Sequence, residues 1–246
     1  MKKIFTLIAL LAFVLGAMAQ GQYFYEWKDG KYVQRSLSEV DSITFSLPKS
    51  TEKEYKFVDL GLPSGTLWAD RNVGADSPED YGDYFAWGET EPKETYDWGT
   101  YKWSSASGDN ITKYCTDSTY GTVDNKTSLE LDDDAAYVNM GTEWRMPTRA
   151  ELDVLYSHCT WTWTSQNGVD GYKVTGPNGN SIFLPVAGGW SKKGLGGVGT
   201  YGYYSSSSLH KGEPNTSWAL FFDSEERLPN SAYARCYGHS VRAVAR

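Results

Sequence analysis

The segment WSKKGLGGVGTYGYYSSSSLHKGEPNTSWALFFDSEERLPNSAYARCYGHSVRAVAR, residues 190–246, decides the fold. A glycine-rich aromatic stretch is followed by a serine run, an apolar strand, a polar turn at residues 228–230 and a closing strand. Seven glycines within residues 188–202 indicate a loop that needs backbone freedom. Alternating apolar residues of the central strand are predicted to face the core: Trp218, Leu220 and Phe222. The pattern predicts the last sheet of a domain together with one loop face.

Two helices are predicted upstream of this sheet. The acidic run at residues 132–134 precedes AAYVNMG, and carboxylates satisfy free N–H groups at a helix start. Gly141 is placed to end that helix. Thr148 and Glu151 form a T-x-x-E capping box for a second helix, which ends near Cys159. The apolar residues of the second helix share one face: Leu152, Leu155 and Tyr156.

Strands are expected on both sides of the helices. KFVDLGL (56–62), TLWADRNVGA (66–75) and DYFAWGE (83–89) precede them. GYKVTG and SIFLPVAG form a hairpin about the turn at residues 177–180. Residues 91–127 have no clear period, and so long an irregular stretch often carries function or a bound ion. Two helices between β-rich halves predict an α+β domain.

The N-terminal residues predict an export signal and a small β unit. A positive start, an apolar run and a small-residue cleavage site match a signal peptide over residues 1–19. Residues 20–48 follow as a small β unit, with a hairpin about an Asp-Gly turn and a third short strand at residues 41–45. A polar linker at residues 49–54 leads to the main domain at residues 55–246. The expected location is secreted, extracellular or at the cell surface, with the periplasm left open.

Charge and composition exclude some partners. Without residues 1–19 the chain has 23 − 2 = 21 basic and 31 acidic residues, a net charge of −10 that repels phosphate backbones and argues against nucleic acid. No later segment is apolar for long enough to span a membrane. The cysteines are odd in number and widely spaced, so no disulfide pairing can be chosen: Cys115, Cys159 and Cys236.

Six motifs, in order along residues 55–246, resemble the FISUMP-type major paralogous domain: LGLPSGTLWADRNVGA, YGDYFAWGE, DDDAAYVNMGTEWRMPTRAELDVL, GVDGYKVTGPNGNSIFLPVAG, GYYSSS and GHSVRAVAR. That family is similar in fold to C-type lectins and to formylglycine-generating-enzyme-like domains. The resemblance implies twisted antiparallel sheets with two helices and long irregular loops, preceded here by the small β unit. It also implies a secreted or surface protein of bacteria with a binding-related role. GYYSSSS lacks the tryptophan that the family often has inside this motif.

The triplet Glu213-Pro214-Asn215 matches the EPN motif of calcium-dependent C-type lectins. In those lectins it supplies oxygen ligands to a calcium ion that holds a mannose-type sugar. They also need a WND triplet after the next strand, and here the corresponding turn contains neither the tryptophan nor the aspartate. A surface turn is therefore the favoured interpretation of Glu213 and Asn215, although both stay candidates for ligand binding.

Four carboxylates are weak candidates for a structural calcium ion: Glu130, Asp132, Asp133 and Asp134. Their charge density would suit a hard cation. Helix capping explains the same residues without an ion and is favoured. No cofactor is therefore expected, and a structural calcium is the alternative.

The search for catalytic residues finds none. No G-x-S-x-G elbow is present, and the serine run at residues 205–208 is expected at a strand end or turn. His239 is expected to form a structural hydrogen bond. The cysteines do not reproduce the metal site of formylglycine-generating enzymes. The chain is therefore predicted not to be an enzyme.

The rings on or beside the glycine-rich loop are the remaining candidates for a binding site: Trp190, Tyr201, Tyr203 and Tyr204. Rings on a loop can stack on sugars or anchor a protein partner, or can pack onto the sheet below. The predicted function is non-catalytic recognition of an extracellular glycan or protein. The alternatives are an enzyme of the formylglycine-generating type and a structural component of a surface assembly.

Overall fold

The structure is a computed structural model that describes Tyr23–Lys28, Lys31–Ser36 and residues 54–245. The chain divides into two compact units, Met1–Thr51 and Glu52–Arg246. The predicted signal peptide, the predicted third strand at residues 41–45 and most of the predicted linker lie outside the described residues. None of the helices in the described residues has the length and hydrophobicity needed to cross a bilayer.

The described residues of the small unit form an antiparallel strand pair. Strands β1 (Tyr23–Lys28) and β2 (Lys31–Ser36) pair along their whole length, with Lys28 opposite Lys31. Two residues separate the strands, which is the commonest hairpin spacing. The pairing agrees with the Asp-Gly hairpin pattern of the sequence.

The large unit is rich in short strands. In chain order they are β3 (Phe57–Asp59), β4 (Leu67–Ala69), β5 (Trp144–Arg145), β6 (Thr160–Gln166), β7 (Val169–Thr175), β8 (Ser181–Pro185), β9 (Gly189–Ser191), β10 (Gly194–Gly196), β11 (Gly202–Leu209), β12 (Thr216–Phe222), β13 (Arg227–Ala234) and β14 (Val244–Ala245). They form small antiparallel sheets with the orders β3-β4-β14-β5, β6-β7-β8, β11-β12-β13 and β9-β10. The α+β class is confirmed.

Both predicted helices are confirmed, and so are their capping residues. Helix α1 (Ala135–Met140) begins after Asp134, whose side chain accepts from the backbone N–H groups of Ala136 and Tyr137, and Gly141 ends it at φ 99°. A short 3-10 helix, Leu131–Asp133, precedes it. Helix α2 (Arg149–His158) begins after Thr148 with the predicted capping box to Glu151. The caps satisfy N–H groups that a helix start leaves free.

The largest core cluster lies where α2 meets three sheets. Leu152 and Leu155 of α2 pack with residues of β4, β7, β8, β11, β12 and β14. Tyr156 lies outside this core, because 37% of it is exposed. Each large buried side chain contributes roughly 1.5–3 kcal/mol to folding through the apolar area that it removes from water. This core holds one face of the β11-β12-β13 sheet in place.

Three strand and turn predictions are wrong. DYFAWGE forms no strand; only Phe85 pairs, as an isolated bridge with His239. The serine run lies inside β11 and is mostly buried, where Ser206 Oγ donates to the carbonyl of Trp218 at 2.7 Å. Residues 228–230 lie inside β13, an edge strand that tolerates a proline without an N–H group. The turn comes earlier, where Asp223 Oδ1 accepts from the N–H groups of residues 225 and 226 at 2.8 Å.

Trp218 also differs from its prediction. It is half-buried and absent from the main core, whereas Leu220 and Phe222 are fully buried there. The guanidinium of Arg149 lies 3.8 Å from its ring centroid. A register irregularity between Ala219 and Phe221 interrupts the pairing of β12 with β13, which breaks the simple alternation assumed from sequence.

Candidate functional site

The β11-β12-β13 sheet has an inner and an outer face. Successive side chains of a strand point to opposite faces, and directly paired residues share a face. Tyr204 pairs with Leu220, and both lie in the core beside Phe222. Tyr203 pairs with Phe221, so these two rings lie on the outer face.

Five rings meet on and beside the outer face, and we call them the outer ring cluster: Tyr201, Tyr203, Phe221, Tyr233 and His239. The Tyr203 ring centroid lies 5.2 Å from those of Phe221, Tyr233 and His239, and 6.3 Å from that of Tyr201. The Tyr201 and Phe221 centroids are 5.7 Å apart. His239 is buried, whereas 38% of Tyr201 is exposed and the other three rings are half-buried. The cluster therefore runs from the interior to solvent.

Electrostatics within the cluster follow from its partial burial. Burial, with the nearby Tyr201, raises the pKa of Tyr203. Burial raises the pKa of Tyr233 to about 12, with Tyr203 and the carboxylate of Glu226 adding to the effect. Burial lowers the pKa of His239 to about 4. At neutral pH the rings of Tyr203, Tyr233 and His239 are therefore uncharged.

The glycine-rich loop that leads to Tyr201 exposes further apolar side chains. Leu195 and Val198 are 42% and 43% exposed. Gly197 adopts φ 72°, and a Cβ there would contact the Tyr201 ring closely. At Gly202 a Cβ would overlap the Phe222 ring. Glycine at these two positions is needed to seat Tyr201 over the loop and to let the loop pass over the sheet. Part of the loop is regular, because β9 and β10 form a two-stranded ribbon within it.

Tyr204 does not belong to this surface. It is 1% exposed, and its hydroxyl donates to the carbonyl of Pro185 at 2.9 Å while Asn72 Nδ2 lies 3.3 Å away. Its position on β11, one residue after Tyr203, turns it to the inner face. The prediction that Tyr204 is a ligand-binding ring is therefore corrected to a core role.

Trp190 belongs to a different aromatic group. It is half-buried in β9, its ring centroid lies 5.7 Å from that of Tyr96, and its backbone pairs with Gly238. Lys93 Nζ lies 5.4 Å from the Tyr96 ring centroid. The structure therefore brings Tyr201 and Tyr203 together but places Trp190 apart from them.

The EPN triplet forms a turn at the opposite end of β12. Glu213 is exposed, and its backbone carbonyl accepts from the N–H and the hydroxyl of Thr216 at 2.8 Å. The carbonyls of Pro214 and Asn215 accept from Arg235 at 3.0 and 3.1 Å. The turn precedes β12, whereas Phe221, which pairs with Tyr203, lies near the end of that strand, roughly 17 Å further along at about 3.3 Å per residue. Tyr233 pairs with Ser217 nearer the turn. Glu213 and Asn215 therefore lie at the other end of β12 from Tyr203 and Phe221.

Arg235 anchors this turn from inside the molecule. It is fully buried, and besides Pro214 its guanidinium donates to the carbonyls of Tyr114 and Lys113 and to the Tyr101 hydroxyl at 2.8–3.1 Å. It also lies 4.7 Å from the Trp87 ring centroid. Arg235 thereby ties the long irregular segment to the sheet, and the sequence prediction missed it.

Three of the four acidic candidates are held by protein groups. Asp134 caps α1 and also accepts from the N–H of Met146 at 2.8 Å. Asp133 accepts from Lys102, Lys113 and Tyr114, and Glu130 pairs with Lys113 and Lys126; Asp132 is exposed. Burial disfavours the charged form of Asp133, but hydrogen bonds from Lys113, Tyr114 and Lys102 outweigh it and lower the pKa. Hydrogen bonds from Lys113 and Lys126 lower the pKa of Glu130. Among residues 54–245, no group of three or more histidine, cysteine or acidic side chains could hold a metal ion.

The thiols and histidines do not assemble a catalytic group. The three cysteines are free, and burial raises the pKa of Cys159 to about 11 and that of Cys236 to about 12. A thiol of such high pKa is a poor nucleophile at neutral pH. His158 ends α2 near Ser157, and His210 packs on Trp218. His239 contacts Phe85 through its backbone while its ring stacks on Tyr203.

Comparison of the chain with protein-family models, with curated proteins and with solved structures found no match.

Proposed function

We propose that this chain is a secreted or cell-surface recognition module of C-type-lectin-like type, related to the FISUMP-type domains, and that it has no catalytic activity. Its ligand is an extracellular glycan or protein. The outer ring cluster carries the proposal, because it joins half-buried rings to the exposed Tyr201. Exposed aromatic rings of this kind are typical of interaction sites.

The ring types support a binding role. Tyrosine offers a rigid apolar body with a polar tip, so it binds with little loss of conformational freedom. Tyr201 and Tyr203 are buttressed by Phe221 from the neighbouring strand. A cluster held by a sheet is pre-organised, which lowers the entropic cost of binding.

The enzyme alternative is less well supported. Chemistry of the formylglycine-generating type needs reactive thiols, and here Cys236 is buried while the pKa values of Cys159 and Cys236 are raised. The assembly alternative draws on the same exposed apolar side chains, so it differs from recognition only in the identity of the partner. A self-association measurement separates the two.

The test is a glycan and extracellular-protein array probed with the full chain. Tyr201→Ala is expected to weaken binding of any genuine ligand about tenfold or more, as truncation of an interface tyrosine does. Tyr156→Ala is the matched control, because Tyr156 is also a tyrosine and is 37% exposed on α2, against 38% for Tyr201. Tyr203→Ala extends the test to the centre of the cluster.

Two outcomes would contradict the proposal. Ligands that bind equally well to wild type and Tyr201→Ala would remove the outer ring cluster from the site. Concentration-dependent dimers that Tyr201→Ala abolishes, with no array ligand, would favour the assembly role.

A further inference from the structure

Aromatic groups in this protein are repeatedly covered by the protein's own cations. Among residues 54–245, a guanidinium or ammonium group lies within 6 Å of a ring centroid in each group of contacting rings outside the outer ring cluster: Arg71 over Tyr55, Lys93 over Tyr96, Lys102 over Trp103, Arg149 over Trp218, Arg227 over Tyr172 and Arg235 over Trp87. Such contacts stabilise by roughly 0.5–1 kcal/mol at exposed sites and about 2 when desolvated.

The outer ring cluster is the exception. Among the residues that the structure describes, no lysine or arginine lies over Tyr201, Tyr203, Phe221 or Tyr233. His239, which stacks on Tyr203, does not supply the charge, because its buried ring is neutral at physiological pH. The most exposed ring of this group, Tyr201, therefore faces solvent without a cation.

The ring geometry suits a cation better than a flat ligand. The ring planes of neighbouring Tyr201, Tyr203, Phe221 and Tyr233 are inclined to one another by 37° to 88°. Inclined rings do not form one flat platform, and the negative π-face of an exposed ring such as Tyr201 attracts ammonium and guanidinium groups. A pyranose chain lying on a protein instead needs ring faces that share one plane.

The charge beside the cluster has the sign that attracts a cation. The turn between β12 and β13 contains Asp223, Glu225 and Glu226. Glu225 and Glu226 are exposed and form no ion pair within residues 54–245. The Glu226 carboxylate is close enough to Tyr233 to raise its pKa. An acidic rim beside aromatic rings is complementary to a basic side chain.

We propose that the outer ring cluster, with Glu226 at its rim, binds an arginine or lysine side chain of a partner protein. This rests on the proposed recognition function and names its ligand chemistry. Arginine is the better fit, because its planar guanidinium stacks on rings and is weakly hydrated.

The experiment titrates the full chain with N-acetyl-Gly-Arg-Gly-amide and follows the aromatic carbon signals by NMR. Signals of Tyr201, Tyr203, Phe221 and Tyr233 are expected to shift, while those of Tyr156 stay fixed. The same tripeptide with citrulline in place of arginine keeps the shape and loses the charge. It is expected to bind at least about threefold more weakly, which corresponds to loss of an exposed cation–π contact.

Two further arms test the charge and the source of the cation. Glu226→Gln is expected to weaken the arginine tripeptide about twofold and to reduce the salt dependence of binding, with Glu225→Gln as the matched control. Tetramethylammonium carries the charge without a peptide backbone. If it binds as tightly as the arginine tripeptide, the site takes a small organic cation and the assignment to a protein segment is wrong.

The outcomes separate this inference from the proposed function. Equal binding of the arginine and citrulline peptides, or no shift in the cluster, overturns the inference. If array ligands still depend on Tyr201 but carry no basic side chain, the recognition function stands and only the cation assignment fails. If Tyr201→Ala changes neither the array nor the titration, both fail.

Discussion

Two aromatic regions of this molecule differ in what fills them. Around Arg235, the rings of Trp87, Tyr101 and Tyr114 enclose a guanidinium that is fully buried and forms hydrogen bonds to three carbonyls and a hydroxyl. In the outer ring cluster, tyrosine and phenylalanine rings meet at the surface, and no lysine or arginine of the described part of the chain lies over them. The first region has its cationic partner within the chain, and the second leaves its rings open to solvent.

The presence or absence of a cation from the same chain distinguishes rings that stabilise the fold from rings that are available for binding. A buried guanidinium is tolerated only when its donors are paired, and Arg235 meets this condition without a carboxylate. Its removal would leave unpaired carbonyls in the interior. Truncation of an exposed ring leaves no buried polar group unpaired, because water replaces the lost contacts. Stability should therefore depend on the Arg235 region, and binding on the outer ring cluster.

The largest effect is expected from Arg235→Met. The substitution keeps most of the side-chain volume but leaves the carbonyls of Lys113, Tyr114 and Pro214 without their donor. At about 1–3 kcal/mol for each buried unpaired group, the free energy of unfolding should fall by about 5 kcal/mol. Urea unfolding measures the change. Arg149→Met is the control, since Arg149 is partly exposed and also covers a tryptophan; a loss as large as that of Arg235→Met would refute the distinction.

A second comparison uses neighbouring phenylalanines on opposite faces of β12. Phe222 is fully buried in the core, whereas Phe221 is half-buried in the outer ring cluster. Phe222→Ala should lower the free energy of unfolding by about 4 kcal/mol, through lost transfer energy and a cavity. Phe221→Ala should cost roughly 1 kcal/mol. Urea unfolding of both variants measures these changes. Equal losses in the free energy of unfolding would mean that the outer rings are part of the core.

The third prediction concerns acid and His239. Its pKa is lowered from 6.5 to about 4 in the folded state by burial, so the unfolded chain binds more protons between these values. The contribution of the neutral ring is therefore fully present above pH 6.5 and is lost as pH falls toward 4, by about 3 kcal/mol in all. His239→Phe keeps a ring against Tyr203 and Tyr233 and should flatten this part of the curve. The same slope in wild type and variant would show that His239 is not the group responsible.

Local signals carried the predictions that succeeded. The helix caps at Asp134 and Thr148 depend on residues two or three apart, so sequence spacing alone defines them. The β7-β8 hairpin follows in the same way from a turn flanked by apolar residues. These signals also give the α+β class, because they fix the order of elements along the chain.

The candidate site depended on long-range pairing and was only partly predicted. Tyr201 and Tyr203 were identified from their loop, but Phe221 and Tyr233 join them through the register of β11, β12 and β13, which no local pattern encodes. The irregularities near Ser205 and Ala219 shift that register and misled the assignment of Trp218. Tyr204 was misplaced for a related reason, because its face depends on where β11 begins. The role of Arg235 joins residues more than a hundred positions apart.

The smallest effect is expected from adding calcium, at the lectin-like triplet Glu213-Pro214-Asn215. Calcium should change the melting temperature by roughly 1 °C or less, because an ion that does not bind the folded state cannot stabilise it. The carbonyls of Pro214 and Asn215 already accept from Arg235, whose positive charge beneath the turn opposes a second cation. Glu213 alone offers a free carboxylate, and a calcium ion needs six to eight oxygens. Melts in calcium and in chelator, for wild type and Asn215→Ala, test this. A calcium-dependent rise in melting temperature that Asn215→Ala abolishes would show that the turn held by Arg235 binds a ligand. The two regions would then differ in the type of ligand that each binds.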